Sequence, residues 1–282
     1  MGMTINELEQ IAIQIRRDII RMVSNAKSGH PGGSLGCADL FTALYFEILD
    51  IDPSDFTIPG KGEDMFFLSN GHISPVWYST LARRGYFPVK ELSTFRMLDS
   101  RLQGHPSPVE HLPGIRVASG SLGQGLSIAL GAAIAKKNDA DPKTVFVLTG
   151  DGELEEGQNW EAILFASGKN IDNLIAIVDY NKKQIDGSTD DVLPLGNLRK
   201  KFEAFDWIVV EMNGNNMEDI LDKIRYSQSL LHQGKPVCII MHTEMGMGVD
   251  FMMGTHKWHG SPPNPEQTGI ALAQLPETLG DY

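Results

Sequence analysis

The stretch VLTGDGELEEGQNWEAILFASGKNIDNLIAIVDYNKKQIDG, Val147 to Gly187, decides how this chain folds. The apolar run TVFVLT (144–149) is rich in β-branched residues and reads as a buried strand. NWEAILFASGKN (159–170) reads as a helix, and NLIAIVDY (173–180) as a second buried strand. Strand, crossover helix and strand make a parallel pair. Just past the first strand stands Asp151, between Gly150 and Gly152; just past the second stands Asn181. In a parallel sheet, ligands bind beyond the carboxyl ends of the strands. Neighbouring strands would therefore bring both side chains to one edge. A carboxylate and an amide oxygen there suit Mg²⁺, which takes few protein ligands and completes its octahedron with water and phosphate oxygens. Gly150 and Gly152 let the backbone approach a phosphate, and N–H groups at the start of the next helix can meet its charge. The expected ligand is a diphosphate clamped by Mg²⁺.

The same alternation extends outward. Residues 4–23 (TINELEQIAIQIRRDIIRMV) read as an amphipathic helix, with Thr4 and Glu7 as a capping box. Residues 25–36 read as a glycine-rich loop, 37–49 and 74–86 as helices, and MFFLSN (65–70) as a short buried strand. Residues 101–121 read as loop and 122–138 as a small-residue helix. WIVVEMN (207–213) and PVCIIMHT (236–243) read as strands around a helix at 217–232, and the Pro-rich tail from Ser261 is expected to wrap a surface. The fold class is α/β: one domain over 1–282, a mostly parallel sheet with helices on both faces.

The 282 residues suffice for one large α/β core. The net charge of −12 disfavours nucleic acid and anionic membranes as partners. Two distant cysteines, Cys37 and Cys238, argue against a disulfide framework or a zinc cluster. The opening MGMTINELEQ, acidic rather than cationic, does not read as a signal peptide, and no apolar run approaches the ~18 residues of a spanning helix. A soluble cytoplasmic protein is expected.

Four histidines lie in Gly- or Pro-flanked loops: His30 in SGHPG, His72 in NGHIS, His105 in QGHPS and His259 in KWHGS. Four such loops in one α/β chain invite a convergent site. His111, His232, His242 and His256 carry no such signal. Glu153 and Glu155 read as surface acids, and the Lys182–Lys183 side chains as a solvated pair. A dinucleotide-binding reading is weak, because GSLGQG (120–125) lacks the G-x-G-x-x-G spacing.

GDG, about thirty residues and then Asn resembles the thiamine-diphosphate motif. GDGELEEGQNWEA with LIAIVDYNKKQIDG resembles transketolases in particular, as do SGHPGGSLGCADL (28–40), FLSNGHISPVWYS (67–79), GHPS (104–107) and GSLGQGLSIALGAAIA (120–135). These motifs follow that family's order over most of the chain and match its N-terminal domain alone; full-length members carry two more. The resemblance implies the thiamine-diphosphate-binding fold and the N-terminal subunit of a split transketolase. Such an enzyme moves a two-carbon ketol unit from a ketose (phosphate) to an aldose (phosphate). The implied cofactors are thiamine diphosphate and Mg²⁺, with Ca²⁺ or Mn²⁺ as substitutes. The implied partner is a C-terminal subunit with the pyrimidine-binding domain, in an α₂β₂ heterotetramer. The glutamate that engages the aminopyrimidine ring belongs to that second domain, so the chain alone is expected to be inactive.

The resemblance also implies roles. Asp151, Asn181 and the backbone carbonyl of Lys183 would hold the metal. His72, His259 and the Gly152 N–H would bind the diphosphate, and Gly120 and Leu122 the central and aminopyrimidine part of the cofactor. His30 and His105 would face the sugar and shuttle protons, work that an imidazole suits. His259 is counted with this catalytic set as well. Glu156 would couple paired active sites through carboxylates that meet across an interface. Two positions depart from the family: Ser121 stands where Pro is common, and Tyr180 where Asp is common. The rival readings are another thiamine-diphosphate enzyme, of the 1-deoxyxylulose-5-phosphate synthase or 2-oxo acid dehydrogenase kind, and a non-catalytic cofactor-binding homologue.

Overall fold

The computed structural model describes residues 2–282. Helix α1 (Ile5–Ala26) begins at the expected capping box: Thr4 Oγ1 accepts from the Glu7 N–H, and the Glu7 carboxylate accepts from the Thr4 N–H at 2.8 Å. Its buried stripe includes Leu8, Ile11, Ile15, Ile19 and Met22, as the three–four spacing predicts. The 25–36 segment is not all loop. Pro31–Gly36 is a short helix, α2, followed by α3 (Ala38–Ala43) and a π turn at Leu44–Ile48. Pro31 presets the first turn. The glycines, poor helix formers, are kept by close packing: a Cβ on Gly32 would lie 2.6 Å from Met245.

Strand β1 (Met65–Leu68) leads into α4 (Ser74–Arg84), which ends on Gly85 in the left-handed conformation. A loop then runs to α5 (Gly125–Asn138). This helix starts three residues later than expected, because Gly123 has φ +87° and lies outside the helical region. Strand β2 (Val145–Gly150), α6 (Gly157–Gly168) and β3 (Leu174–Tyr180) form the predicted crossover. An unexpected hairpin, β4 (Lys183–Gln184) with β5 (Gly187–Ser188), precedes α7 (Thr189–Val192) and α8 (Leu198–Ala204). Strand β6 (Ile208–Asn213), α9 (Met217–Ser229) and β7 (Val237–His242) follow. The tail contains a helix the sequence reading omitted, α10 (Pro265–Gln274), although its Asn264–Gln267 capping box and N1 proline are legible signals.

The main sheet runs β1-β2-β3-β7-β6, and every neighbouring pair is parallel. Its strands bury alternate residues in two cores. Phe66, Phe146, Ile175 and Ile239 meet α1, α3, α4 and α9 on one face. Phe67, Val147, Ala176 and Ile240 meet α5, α6 and α8 on the other. The near-continuous apolar runs of β1, β2, β3 and β7 are thus explained by helices on both faces. Among the described residues no helix is long and apolar enough to cross a membrane.

The tail wraps back over α1. Arg17 donates twice to Asp281 at 2.8 Å, holding that carboxyl down at about 2, and Gln14 Oε1 accepts from the Thr278 and Leu279 N–H groups. Beneath it Asp18 is fully buried, accepting from Ser79 Oγ and Arg83 Nε at 2.8 Å and from Arg83 Nη2 at 2.9 Å. Asp18→Ala would leave the Arg83 guanidinium buried without its counter-charge. The expected loss is about 3–5 kcal/mol, read as a lower denaturant midpoint.

Candidate active site

The carboxyl ends of β1, β2, β3 and β7 open on a cavity of about 280 Å³. Of the residues singled out from the sequence, all but His105 and Glu156 line it.

Asp151 follows β2 and is 2% exposed. Its carboxylate accepts from the Gly152 N–H at 2.8 Å and the Lys182 N–H at 2.5 Å. Burial, and then the nearby carboxylate of Asp179, push its pKa up to about 7. Asn181 follows β3, whose pairing with β2 brings the two together. Its Nδ2 donates to Asp179 at 2.8 Å, which fixes the amide orientation, and its Oδ1 accepts from the Lys183 N–H at 2.9 Å. Asp179, fully enclosed, also accepts from Thr243 and faces the Cys37 thiol. Both cysteines are buried and free, as expected.

Three expectations need correction here. The Lys183 side chain is not solvated: it pairs with Glu244 at 3.2 Å, while Lys182 stays exposed over the Tyr180 ring. The Gly152 N–H is engaged by Asp151. The start of α6 does not reach the cavity, because a 3-10 turn at Gly152–Glu155 intervenes and the helix begins at Gly157.

The histidine loops converge because α2 is stitched to two distant segments: the Gly32 N–H bonds the Trp258 carbonyl at 3.0 Å, and the Gly246 N–H the Gly32 carbonyl at 2.9 Å. The His30 ring centre lies 5.0 Å from His72, 5.7 Å from His259 and 6.4 Å from His105; His72 and His259 are 5.1 Å apart. His105 is exposed at the rim, its ring against Gly120, where a Cβ would come within 2.6 Å. Leu122 is half-buried in the wall beyond it. Arg96 links the loops of His30 and His105 by bonding Ser28 Oγ at 2.9 Å while packing on Gly104. Glu156 is exposed outside the cavity, before α6.

All four imidazoles are held below their ordinary pKa. His30 falls to about 4, through burial first, then His259, Arg96 and His105. Burial leads for His72, His105 and His259 too. At neutral pH these rings are neutral and can accept or donate a proton. Because the folded pKa is depressed, the unfolded chain takes up the proton first, so stability is lost as pH falls from about 6.5 toward about 4. Denaturant midpoints measured across that range should fall less steeply in His30→Gln. The difference between the two curves isolates His30, since Asp151 and Glu153, with raised pKa values, act in the opposite sense in both proteins.

Sequence reading missed several residues at this site. Asn70, just past β1, lines the cavity with a buried Oδ1 that has no partner; the rule that exposed Asp151 and Asn181 would have found it. Gln184, Ile185 and Met245 carry no local signal. Glu153 is buried rather than at the surface, and Glu155, half-buried, accepts from Gln184 at 2.9 Å.

The residues present fit a metal-bound diphosphate. Besides Asn70 Oδ1, Nδ1 of His30 and of His259 are buried without partners. Such atoms are costly unless a ligand meets them. A buried carboxylate with a raised pKa is relieved by a cation, and a carboxylate with an amide oxygen is the donor set of a hard one. Among the described residues, no group of three or more His, Cys, Asp or Glu forms a metal cage of its own.

Residues 8–275 match the family model described as transketolase, thiamine diphosphate binding domain. The chain is 40% identical over 276 residues to an apulose-4-phosphate transketolase subunit from Actinobacillus succinogenes, covering 97% of this chain and 98% of that protein. It is 39% identical to 6-deoxy-6-sulfo-D-fructose transketolase subunit SqwG of Clostridium sp. (strain MSTE9), covering 95% and 96%. The solved transketolase from Leishmania mexicana superposes with a TM-score of 0.89 at 30% identity; the match covers all of this chain and 43% of that one.

Proposed function

The chain belongs to the transketolase family, of which it carries the thiamine-diphosphate-binding domain, and on that premise we propose that it is one subunit of a two-subunit, Mg²⁺-dependent transketolase. What supports this most is the meeting of Asp151, Asn181 and the histidines around one cavity at the strand ends.

Asp151, Asn181 and the Lys183 carbonyl are the proposed metal ligands. His72, His259, Gly120 and Leu122 would hold the cofactor. Thiamine diphosphate, when bound, supplies the electron sink for breaking a carbon–carbon bond next to a carbonyl. His30, His105 and His259 would orient the sugar and move protons at its hydroxyl and carbonyl oxygens. Neutral imidazoles suit that task in either direction. Exposed Glu156 is free to meet another chain across an interface.

A partner is favoured by two observations. Relatives are named as subunits, and the cavity, at about 280 Å³, lies at the small end of the roughly 300–1,000 Å³ of ordinary ligand pockets. A facing surface would close the volume that the rest of the cofactor and the sugar need. The relatives' named substrates, apulose 4-phosphate and 6-deoxy-6-sulfo-D-fructose, are ketoses with an anionic end. We propose a donor of that class. Ketol transfer from a panel of phosphorylated, sulfonated and neutral ketoses, assayed with the partner present, tests this. Cofactor binding without turnover on any of them would favour a non-catalytic homologue.

A further inference from the structure

Beyond that reading, and resting on it, we infer that Glu153 is a positioning residue: one buried carboxylate presets the cofactor cradle by tying together three separate segments of its wall. Glu153 is 2% exposed and itself lines the cavity. Oε1 accepts from Ser69 Oγ and from the Gly123 N–H at 2.7 Å, and Oε2 from the Gly150 N–H at 3.0 Å. Ser69 Oγ accepts in turn from the Gly125 N–H at 3.0 Å. The Glu153 carbonyl accepts from Asn159 Nδ2 at 2.6 Å, which seats the turn on α6.

Each tied segment bears groups of the site. Ser69 precedes Asn70 and His72. Gly150 precedes Asp151 and Gly152. Gly123 and Gly125 follow Gly120 and Leu122. The first two segments are already held by the pairing of β1 with β2. The 119–124 segment belongs to no strand or helix, and Gly120 and Gly123 have φ of +122° and +87°. Glycines with that freedom need an external constraint to hold one conformation. The Glu153–Ser69 pair supplies it, at so close an approach that a Cβ on Gly125 would lie 2.4 Å from Ser69. The carboxylate also occupies the Gly123 and Gly150 N–H groups. An incoming phosphate must then be met by the histidines and the metal.

Glu153→Gln keeps the size of the side chain but sets an amide N–H₂ against a backbone N–H. Glu153→Ala removes every bond. In the cofactor-free full chain, amide exchange at Gly123 and Gly125 should speed at least tenfold in both variants. Calorimetric affinity for thiamine diphosphate with Mg²⁺ should weaken about 10–100-fold, the usual effect of losing a group that orients ligands. With the partner present, the cofactor KM should rise while kcat at saturation is retained. Ser69→Ala, a milder change should the glutamate variants fail to fold, should show the same pattern and add little in the double variant. A lowered melting temperature with unchanged exchange at Gly123 and Gly125 and unchanged cofactor affinity would overturn the inference. Should the unaltered chain bind no thiamine diphosphate even with its partner, the functional reading falls, and the exchange result alone still decides whether Glu153 holds the loop.

Discussion

Asp151→Ala is expected to weaken Mg²⁺-dependent binding of thiamine diphosphate by at least about 100-fold, since even partners that only orient metal ligands contribute 10–100-fold. The substitution removes the carboxylate that follows β2, one of three lining the cavity. It also removes the acceptor for the Gly152 and Lys182 N–H groups, so the turn loses its anchor along with the metal. Asn181→Ala should follow it less severely, because a neutral amide contributes less to a dication than a carboxylate. Calorimetric titration at fixed Mg²⁺, repeated in chelator, checks both. Undiminished affinity in Asp151→Ala would remove the basis for a metal-bridged diphosphate at this site.

No ketol transfer above background is expected from the chain alone, and full turnover only on adding a subunit with the pyrimidine-binding domain. The carboxylates that line the cavity are Asp151, Glu153 and Asp179, and each is engaged by donors of this chain at the strand ends. None is left to engage the far end of the cofactor, where the resemblance to transketolases implies a glutamate from a second domain. Loss of one positioned acid–base group typically lowers rate by about 10²–10⁴; an open cavity adds to that. Titrating the chain with its partner and following the aldose product gives the test. Turnover by the isolated chain would show that it completes its own site.

Much of this was legible locally. The capping box at Thr4, the apolar runs at 144–149 and 173–180, and the residues just past them needed only short-range rules. Glycine misled twice. At 31–36 it looked like loop but builds a helix, because tertiary packing rewards the absence of side chains. At 123 it looked helical but adopts a left-handed φ. Glu153 was misread for a related reason. A glutamate in an acidic run is ordinarily solvated, and nothing nearby announces that Ser69 and Gly123, 84 and 30 residues away, will surround it.

By itself the sequence determined the five strands of the main sheet, that helices cover both its faces, and that an acid and an amide end two successive strands. Those features rest on periodicity and on the right-handed logic of crossovers, which act over a few turns of chain. Only the tertiary structure decided that β7 inserts beside β3, that the three other histidine rings close to within 5.0–6.4 Å of His30, and that a buried glutamate joins three segments of the wall. Those arrangements depend on close approach between segments far apart in sequence. Packing density, not local propensity, sets such distances.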